Sequence, residues 1–384
     1  MKEFFYPTAF SSWGDEEKAA IDRVLKSGKF TQGEEVAAME REFAAYHGMQ
    51  QCIMVNSGSS ANLVAVAALR EMGVFKPGVG HRALVPAIAW STTYAPLVQM
   101  GLDLVICDVD ETWNANPHAF RHDPGDIKIV VACSILGNPG YLGEWANLAG
   151  VLGAELIEDN CESLGAAVTN PATKLCGTFG LMSTVSFFWS HQIGAIEGGA
   201  ILTNDPEVAN ICRILRAHGW TRDIQGDEVP NFQHEYDFIA MGYNVRALEL
   251  HAAIAREQLR KLPEMAAVRR ANQHYFWTAM HNASCLRITP PVPNGRMSPF
   301  GIHFEVPDWT LRQAVADALR ANGIDCRLPT GGSFLQHPYG SPWRRQSTPI
   351  ADRIHARGMF IGNGALDLRE QIDRTVAVLK GVLT

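Results

Sequence analysis

A histidine stands between a predicted buried strand and a pair of glycines. His191 lies in the segment Ser186–Gly199, which reads Ser-Phe-Phe-Trp-Ser-His-Gln-Ile-Gly-Ala-Ile-Glu-Gly-Gly. An imidazole can accept and return a proton near neutral pH, so this side chain could act as a general acid and base. An isolated histidine is more often a surface or hydrogen-bonded residue, and the neighbouring segments must decide between these interpretations.

A run of small and hydroxyl-bearing residues joins a predicted strand to a predicted helix. The run, Asn56–Leu63, reads Asn-Ser-Gly-Ser-Ser-Ala-Asn-Leu. Backbone amides and hydroxyls at the start of a helix can bind a phosphate, and glycine lets the backbone approach it closely. The same pattern also fits an ordinary turn followed by a serine helix cap. Both interpretations stay open for this segment alone.

Asp159 and Trp90 each follow an apolar strand. Ligands of open α/β sheets bind at the carboxyl ends of the strands. A carboxylate at this edge could hold the ring nitrogen of a bound heterocycle protonated, and an indole could stack on its flat face. The alternatives are an aspartate that caps the next turn and a tryptophan that packs in the core.

The composition favours a soluble globular protein with reduced cysteines. Of the 384 residues, 47% are hydrophobic and 19% are charged, and the net charge of -7 offers no footprint for nucleic acid or an anionic membrane. The eight cysteines never form a C-x-x-C pair, which predicts buried thiols in a cytoplasmic protein and no zinc or other metal site. Residues 1–7 are too short for a signal peptide, and no apolar run is long enough to cross a bilayer.

Strands and helices alternate along the first two thirds of the chain, as expected for an α/β protein with a mostly parallel sheet. The predicted strands are Cys52–Val55, Arg82–Val85, Leu102–Cys107, Ile127–Cys133, Glu155–Glu158, Thr184–Phe188 and Ala200–Thr203. The predicted helices are Asp15–Ser27, Ser60–Met72, Thr92–Met100 and Leu142–Leu152.

The last third has a different pattern. A helix over Ala247–Leu262 is predicted to end at Pro263, and a second helix over Arg269–His281 follows. From about Cys285 the chain alternates a strand at Gly301–Val306 with helices at Thr310–Asn322 and Leu368–Leu383. We therefore expect a large domain over 1–262 and a smaller α+β domain over 263–384.

The order and spacing of several segments resemble one family across nearly the whole chain. The segments are Asn56–Leu63, Ala89–Thr93, Glu158–Gly165, Cys176–Gly180, Ser186–Gly199, Gly242–Arg246 and Arg327–Phe334. They resemble the DegT/DnrJ/EryC1/StrS sugar aminotransferases of the aspartate aminotransferase superfamily. The resemblance implies the pyridoxal phosphate (PLP) transferase fold type I, with helices on both faces of the central sheet and a smaller C-terminal domain.

His191 stands where the aminotransferases carry the lysine that forms a Schiff base with PLP. The sequence thus looks closest to the nucleotide-sugar 3-dehydratases of the family, which bind the cofactor without a covalent bond. The resemblance implies that seven residues bind the cofactor: Gly58, Ser59, Trp90, Asp159, Glu162, Ser186 and Asn244. Of these, Asn244 would reach the cofactor of the neighbouring subunit. It implies that three contact the sugar nucleotide: Arg222, Arg327 and Ser333.

The reaction implied by this resemblance removes the C3 hydroxyl of a 4-keto-6-deoxyhexose nucleotide. Glutamate would convert PLP to pyridoxamine phosphate (PMP), and His191 would move the protons. The expected assembly is a homodimer with shared active sites. The nucleotide, GDP, CDP or dTDP, and the stereochemistry of the sugar stay open, because the loop Leu328–Ser333 and the segment His218–Trp220 depart from the known dehydratases.

Three alternatives bear on this interpretation. A second subgroup of the family uses an iron–sulfur cluster, but its cysteines are missing from the loop Ile224–Phe238, so we expect no cluster. A nucleotide-sugar aminotransferase would need its lysine elsewhere, and only Lys174 is near the right region. The third alternative is a catalytically inactive protein that binds a sugar nucleotide. The presence of the carboxylates Asp159 and Glu162 beside His191 counts against it.

Overall fold

The computed structural model describes residues 4–120, 125–223, 236–281 and 286–383. Most of the cysteine-free loop lies at 224–235, outside these ranges. The strands, in chain order, are β1 (Gln51–Val55), β2 (Arg82–Pro86), β3 (Asp103–Cys107), β4 (Ile127–Cys133), β5 (Glu155–Asp159), β6 (Ala167–Val168), β7 (Lys174–Leu175), β8 (Met182–Ser186), β9 (Gly199–Thr203), β10 (Arg287–Ile288), β11 (Gly295–Arg296), β12 (Gly301–Glu305), β13 (Cys326–Arg327) and β14 (Gly358–Gly362).

Ten α-helices surround these strands in the described ranges. They are α1 (Asp15–Ser27), α2 (Glu34–His47), α3 (Gly58–Glu71), α4 (Ser91–Gln99), α5 (Leu142–Leu152), α6 (Pro206–Arg216), α7 (Glu249–Met280), α8 (Leu311–Ala321), α9 (Pro349–Arg357) and α10 (Arg369–Leu383). None of those described is long and apolar enough to span a membrane.

The central sheet has seven strands in the spatial order β1-β9-β8-β5-β4-β2-β3. Strands β8, β5, β4, β2 and β3 pair in parallel, and β9 alone runs against both of its neighbours. The mostly parallel sheet is therefore confirmed. Because six strands share one direction, the segments that follow β1, β2, β4, β5 and β8 meet at the same edge.

Both faces of the central sheet are covered by helices. Side chains alternate between the two faces of a strand. In β1, Ile53 and Val55 pack in a core with α3, whereas Cys52 and Met54 pack in a second core with α2 and α7. This alternation of a fully apolar strand is typical of a sheet buried on both sides.

The chain after α7 builds a second, smaller sheet. Its strands pair antiparallel in the order β10-β12-β14-β13, and α8 and α10 pack with it. Tyr6 also belongs to this core, where its hydroxyl donates to the Gly362 carbonyl at 2.7 Å. A three-stranded sheet, β11-β6-β7, connects residues 295–296 to the large unit.

The prediction that Pro263 ends a helix is wrong. Helix α7 runs without interruption over Glu249–Met280, and Pro263 lies inside it. Proline removes only one hydrogen bond, to the carbonyl of residue 259, and its ring faces solvent here. Ile254 and Leu262 pack in the core of the large unit, while Phe276 packs in that of the small one. Tertiary packing on both sides of the proline holds the helix together, and the expected domain boundary at 262/263 falls inside it.

Candidate active site

A cavity of about 820 Å³ opens at the carboxyl edge of the central sheet. Its wall contains the segments after β1, β2, β4, β5 and β8, together with Phe300 and Arg327 from the small unit. Eight of the eleven predicted site residues line this cavity: Gly58, Ser59, Trp90, Asp159, Glu162, Ser186, His191 and Arg327.

The start of α3 forms one side of the cavity. The Ser57 hydroxyl caps this helix by accepting from the Ser60 N–H at 3.1 Å. A Cβ on Gly58 would come within 2.7 Å of the Ser186 Cβ, so only glycine fits here. The first turn of a helix leaves backbone N–H groups without intrahelical partners. The two interpretations of this segment are thus compatible, since the turn is capped and also presents donors and hydroxyls to an anion.

Asp159 ends β5 and is held rigidly. Its Oδ2 accepts hydrogen bonds from Asn62 Nδ2 at 2.9 Å and Thr93 Oγ1 at 2.7 Å. Its Oδ1 accepts a longer bond, from the Cys161 N–H at 3.2 Å. The carboxylate is therefore oriented from behind and keeps one oxygen able to pair with a protonated ring nitrogen.

Glu162 places a second carboxyl group in the same wall. Its Oε2 accepts from the Leu136 N–H at 2.8 Å. Burial raises the pKa of this carboxyl to about 7, and the nearby Asp159 charge adds to the shift. Glu162 can therefore exchange a proton near neutral pH, whereas an exposed glutamate is fully ionised there.

His191 lies in the wall between two aromatic rings. The Phe300 ring centroid lies 5.2 Å from that of the imidazole, and the Phe188 ring meets it edge-on at 5.9 Å. Burial lowers the pKa of the imidazole to about 4, against the opposing effect of Asp159. The ring is thus neutral at physiological pH and able to accept a proton.

Trp90 and Arg327 sit nearer the mouth of the cavity. The Trp90 indole is 56% exposed although it lines the wall, so a flat surface faces the open space. The Arg327 guanidinium pairs with Asp325 at 3.5 Å and remains largely exposed. Arg320 lines the same wall and was not predicted from the sequence. These groups give one end of the cavity an aromatic face and two positive charges.

Three predicted site residues do not line the cavity of their own chain. Asn244 and Arg222 are exposed, and the Arg222 guanidinium lies 5.0 Å from the Trp220 ring centroid. Ser333 is fully buried, and its hydroxyl donates to Asp352 Oδ1 at 2.7 Å. The roles assigned to these three residues stay predictions.

No lysine among the described residues lines the cavity. Lys174 belongs to β7, where its Nζ lies 4.1 Å from the Phe179 ring centroid. Over the same ranges, no group of three or more histidine, cysteine, aspartate or glutamate side chains could hold a metal ion. The polar groups of the wall include hydroxyls, the backbone amides at the start of α3 and three carboxyls, Asp159, Glu162 and Glu197, and this set fits PLP.

Sequence reasoning missed the residues that orient the site. Asn62 and Thr93 hold Asp159 from helices α3 and α4, and Phe300 packs on His191 from the small unit. Asn62 had a usable signal, because it is a polar residue in the otherwise apolar run of α3. Phe300 had none, because its contact spans 109 residues of sequence.

Comparison with known proteins identifies close relatives. Residues 11–380 match the DegT/DnrJ/EryC1/StrS aminotransferase family. A GDP-4-keto-6-deoxy-D-mannose 3-dehydratase of Escherichia coli O55:H7 is 38% identical over 98% of this chain and 99% of its own. The solved E. coli GDP-4-keto-6-deoxy-D-mannose-3-dehydratase with bound hydrated PLP has a TM-score of 0.90 and 36% identity, covering 100% of both chains. A GDP-4-keto-6-deoxymannose-3-dehydratase with a trapped PLP-glutamate geminal diamine has a TM-score of 0.89 and 36% identity, covering 99% of this chain and 100% of that one.

These relatives confirm the resemblance and the fold type I architecture. They also confirm the cofactor class, since the structures named above hold PLP in the same fold. The chain belongs to the DegT/DnrJ/EryC1/StrS aminotransferase family.

Proposed function

We propose that this protein is a PLP- and PMP-dependent nucleotide-sugar 3-dehydratase. It removes the C3 hydroxyl of a 4-keto-6-deoxyhexose nucleotide and yields a 4-keto-3,6-dideoxy sugar. The observation that carries the proposal is the cavity wall, where His191 lies beside Asp159 and no described lysine takes part. The E. coli relative named for the same reaction supports it.

Polar groups of this chain hold the cofactor without a covalent bond. The amides and hydroxyls of Gly58, Ser59 and Ser186 would bind its phosphate, and Asp159 would pair with its ring nitrogen. Trp90 would cover one face of the ring. When bound, the cofactor supplies an amine and an electron sink that activate the 4-keto sugar for loss of its neighbouring hydroxyl.

His191 moves the proton. Its neutral imidazole first acts as a base, and the protonated ring can then donate to the departing C3 hydroxyl. Phe188 and Phe300 fix the ring plane, so the same nitrogen can serve both steps without reorientation. The C3 oxygen would leave as water, and the bound cofactor in its amine form would supply the two electrons that this loss of oxygen requires.

Glutamate is the proposed amine donor, and GDP the proposed nucleotide. The relative that carries a trapped PLP-glutamate adduct supports the first, and the GDP-sugar named for the E. coli relatives supports the second. Arg320 and Arg327 in the wall suit the diphosphate of such a substrate, which the acidic chain would otherwise repel. The seven described cysteines are free, in keeping with the proposed cytoplasmic location.

The proposed assembly is a homodimer with shared active sites. Asn244 and Arg222 are exposed and lie outside the cavity of their own chain, as residues that serve a partner's site would. Ile239 and Met241, next to Asn244 in sequence, are 63% and 83% exposed, which is unusual for apolar side chains unless another surface covers them. If sites are shared, mixing the inactive variants His191→Asn and Asn244→Leu regains activity.

One incubation tests the reaction. The protein is mixed with PLP, glutamate and a panel of GDP-, CDP- and dTDP-linked 4-keto-6-deoxyhexoses, and products are followed by mass spectrometry and an ammonia assay. We expect loss of one oxygen from the GDP sugar, with ammonia released in equal amount. A product that gains an amino group would identify an aminotransferase, and an unchanged panel would favour a non-catalytic binding protein.

A further inference from the structure

Gln192, the neighbour of His191, joins three separate segments. Its side chain is completely buried. The Nε2 amide donates to the Glu162 carbonyl at 2.5 Å and to the Ser298 carbonyl at 2.7 Å. The histidine segment is therefore fixed to the turn after β5 and also to the segment of the small unit that carries Phe300.

Arg269 of α7 supports the same junction. Its Nη1 donates to the Gln192 carbonyl at 3.2 Å. The carbonyl of Arg269 in turn accepts from Asn363 Nδ2 at 2.9 Å, and this amide also reaches the Pro299 carbonyl at 3.2 Å. The backbone that follows His191 is thus held by a side chain from the middle of α7, and Asn363 connects that part of α7 to the small unit.

The Arg269 guanidinium is an unusual buried cation. Its side chain is only 3% exposed, and none of the ion pairs found among the described residues includes it. Its Nε, Gln192 Oε1 and Ser298 Oγ are all buried without a hydrogen-bond partner in the described chain. Burying a charge without an opposite charge beside it opposes folding. Such a group is more easily explained by its effect on the active site than by stability.

The charge of Arg269 acts on His191. The ionisable groups that line the cavity with the imidazole or act on it are carboxyls, thiols and guanidinium groups: Asp159, Glu162, Glu197, Cys133, Cys161, Arg320, Arg327 and Arg269. Asp159 favours the protonated ring, whereas burial and Arg269 favour the neutral one. From the small unit, the apolar Phe300 faces the ring. Arg269 thus opposes the carboxylates that would otherwise protonate the base.

We propose that Gln192 and Arg269 are positioning residues that replace the missing covalent bond between chain and cofactor. Gln192 fixes the place of the His191 segment, and the charge of Arg269, held beside the Gln192 carbonyl, adds to burial in opposing protonation of the imidazole. The proposal rests on His191 being the base of the proposed function. The proposal adds two residues to those that support the reaction, and neither of them lines the cavity.

The charge is tested on the apoprotein by NMR titration of isotope-labelled histidine side chains. The variant Arg269→Met removes the charge, Arg269→Lys retains it, and Arg270→Met is the matched control, because Arg270 Nη1 also donates to a carbonyl of the small unit, that of Met297, at 3.2 Å. We expect Arg269→Met to raise the pKa of His191, because the positive charge of Arg269 disfavours the protonated ring. Arg269→Lys and the control should leave it unchanged.

The pH dependence of activity must shift together with the pKa of His191. Because the base works only when unprotonated, the acid limb of kcat/KM should shift to higher pH by the same amount in Arg269→Met. In Gln192→Met, kcat should fall roughly 10- to 100-fold with little change in KM, as expected for a misplaced base. Thermal unfolding reports whether each variant is folded, and Arg269→Gln, which is neutral but retains an N–H donor, replaces Arg269→Met if that variant does not fold.

An unchanged His191 titration in a folded, neutral Arg269 variant would overturn the role of the charge. An unchanged kcat in Gln192→Met would overturn the positioning role. The titration needs neither cofactor nor substrate. A protein that shows the shift but performs no dehydration would therefore contradict the proposed function and leave the effect of Arg269 intact.

Discussion

The imidazole of His191 combines a low pKa with a fixed ring plane. A base with a pKa of about 4 stays unprotonated over the whole physiological range. The same low basicity makes the protonated ring a strong acid, which suits transfer to a departing hydroxyl. Phe188 and Phe300 contact the ring without hydrogen bonds of their own, so they hold its plane without occupying a nitrogen.

We predict that His191→Asn lowers the rate of dehydration by ~10²- to 10⁴-fold, the usual contribution of a general acid and base. PLP binding should persist, because Gly58, Ser59 and Asp159 are untouched. Product formation is followed by mass spectrometry and cofactor binding by absorbance. The control is His274→Asn, at an exposed position of α7. Dehydration at the original rate in His191→Asn would assign the proton transfer to another group.

Gly58 is the residue at which a single methyl group should remove cofactor binding. The added Cβ of Gly58→Ala would lie 2.7 Å from the Ser186 Cβ and 2.8 Å from the Cys161 Sγ, so the start of α3 must move away from β8. We expect PLP affinity to fall at least ~10-fold, since two phosphate-binding segments separate. Titration with PLP measures the loss.

Gly150→Ala is the matched control for that substitution. Gly150 lies in α5, and its added Cβ would meet nothing within 4 Å. Alanine should stabilise this helix by roughly 0.5–1 kcal/mol and leave PLP affinity unchanged. Equal PLP affinity in the two variants would mean that the contact between Gly58 and Ser186 plays no part in binding.

Helix α7 shows that tertiary packing can override a local sequence signal for a helix end. Its proline is exposed and the helix continues on both sides. We predict that Pro263→Ala restores the hydrogen bond to the Leu259 carbonyl and stabilises the fold by about 1–2 kcal/mol. Urea unfolding measures the change, with Glu264→Ala as the control at the adjacent exposed position. A less stable Pro263→Ala variant would show that the packing around α7 requires the proline.

Elements with strong local signals could be predicted well. The strand Ile127–Cys133 and the helices Asp15–Ser27 and Leu142–Leu152 have the predicted ends, since apolar runs and capping glycines mark them. The strand predicted at Thr184–Phe188 lies at Met182–Ser186, because the apolar run continues past the last paired residue. Helices α2, α6 and α9 were not predicted.

The site residues likewise differ in whether a local sequence signal identifies them. Asp159 at the end of a strand and Gly58 at a helix start could be singled out from local patterns, and His191 from its place in the family resemblance. Gln192 and Arg269 could not be assigned, since their importance comes from contacts with residues far away in sequence. A sequence pattern indicates which groups face a ligand, but only tertiary contacts identify the groups that orient them.

For the whole molecule, buried histidines determine how the fold responds to acid. His47 and His303 are 7% and 0% exposed, and burial lowers the pKa of each to about 4. In the unfolded chain a histidine takes up its proton at a pKa of about 6.5. The stability that each neutral, buried ring contributes is therefore fully present above a pH of about 6.5, and it is lost as the pH falls from about 6.5 toward 4.

We predict that each of these histidines lowers the free energy of unfolding by about 2 kcal/mol between pH 7 and pH 5. Urea unfolding at the two pH values measures this. His303→Leu should decrease the loss by that amount, because leucine binds no proton, while the exposed His274→Leu should not change it. An identical pH dependence in His303→Leu would mean that the buried ring is not neutral.

Helix α7 also limits how the enzyme can admit its substrate. Two units joined by a flexible linker can close around a ligand by a hinge motion. Here one continuous helix packs in both hydrophobic cores and contacts the segment that carries His191. Rotation of one unit against the other would have to bend that helix and pull Arg269 from its carbonyl. Entry of a bulky sugar nucleotide must then depend on side chains and loops at the mouth, so turnover should tolerate a rigid scaffold and be sensitive to changes at the rim.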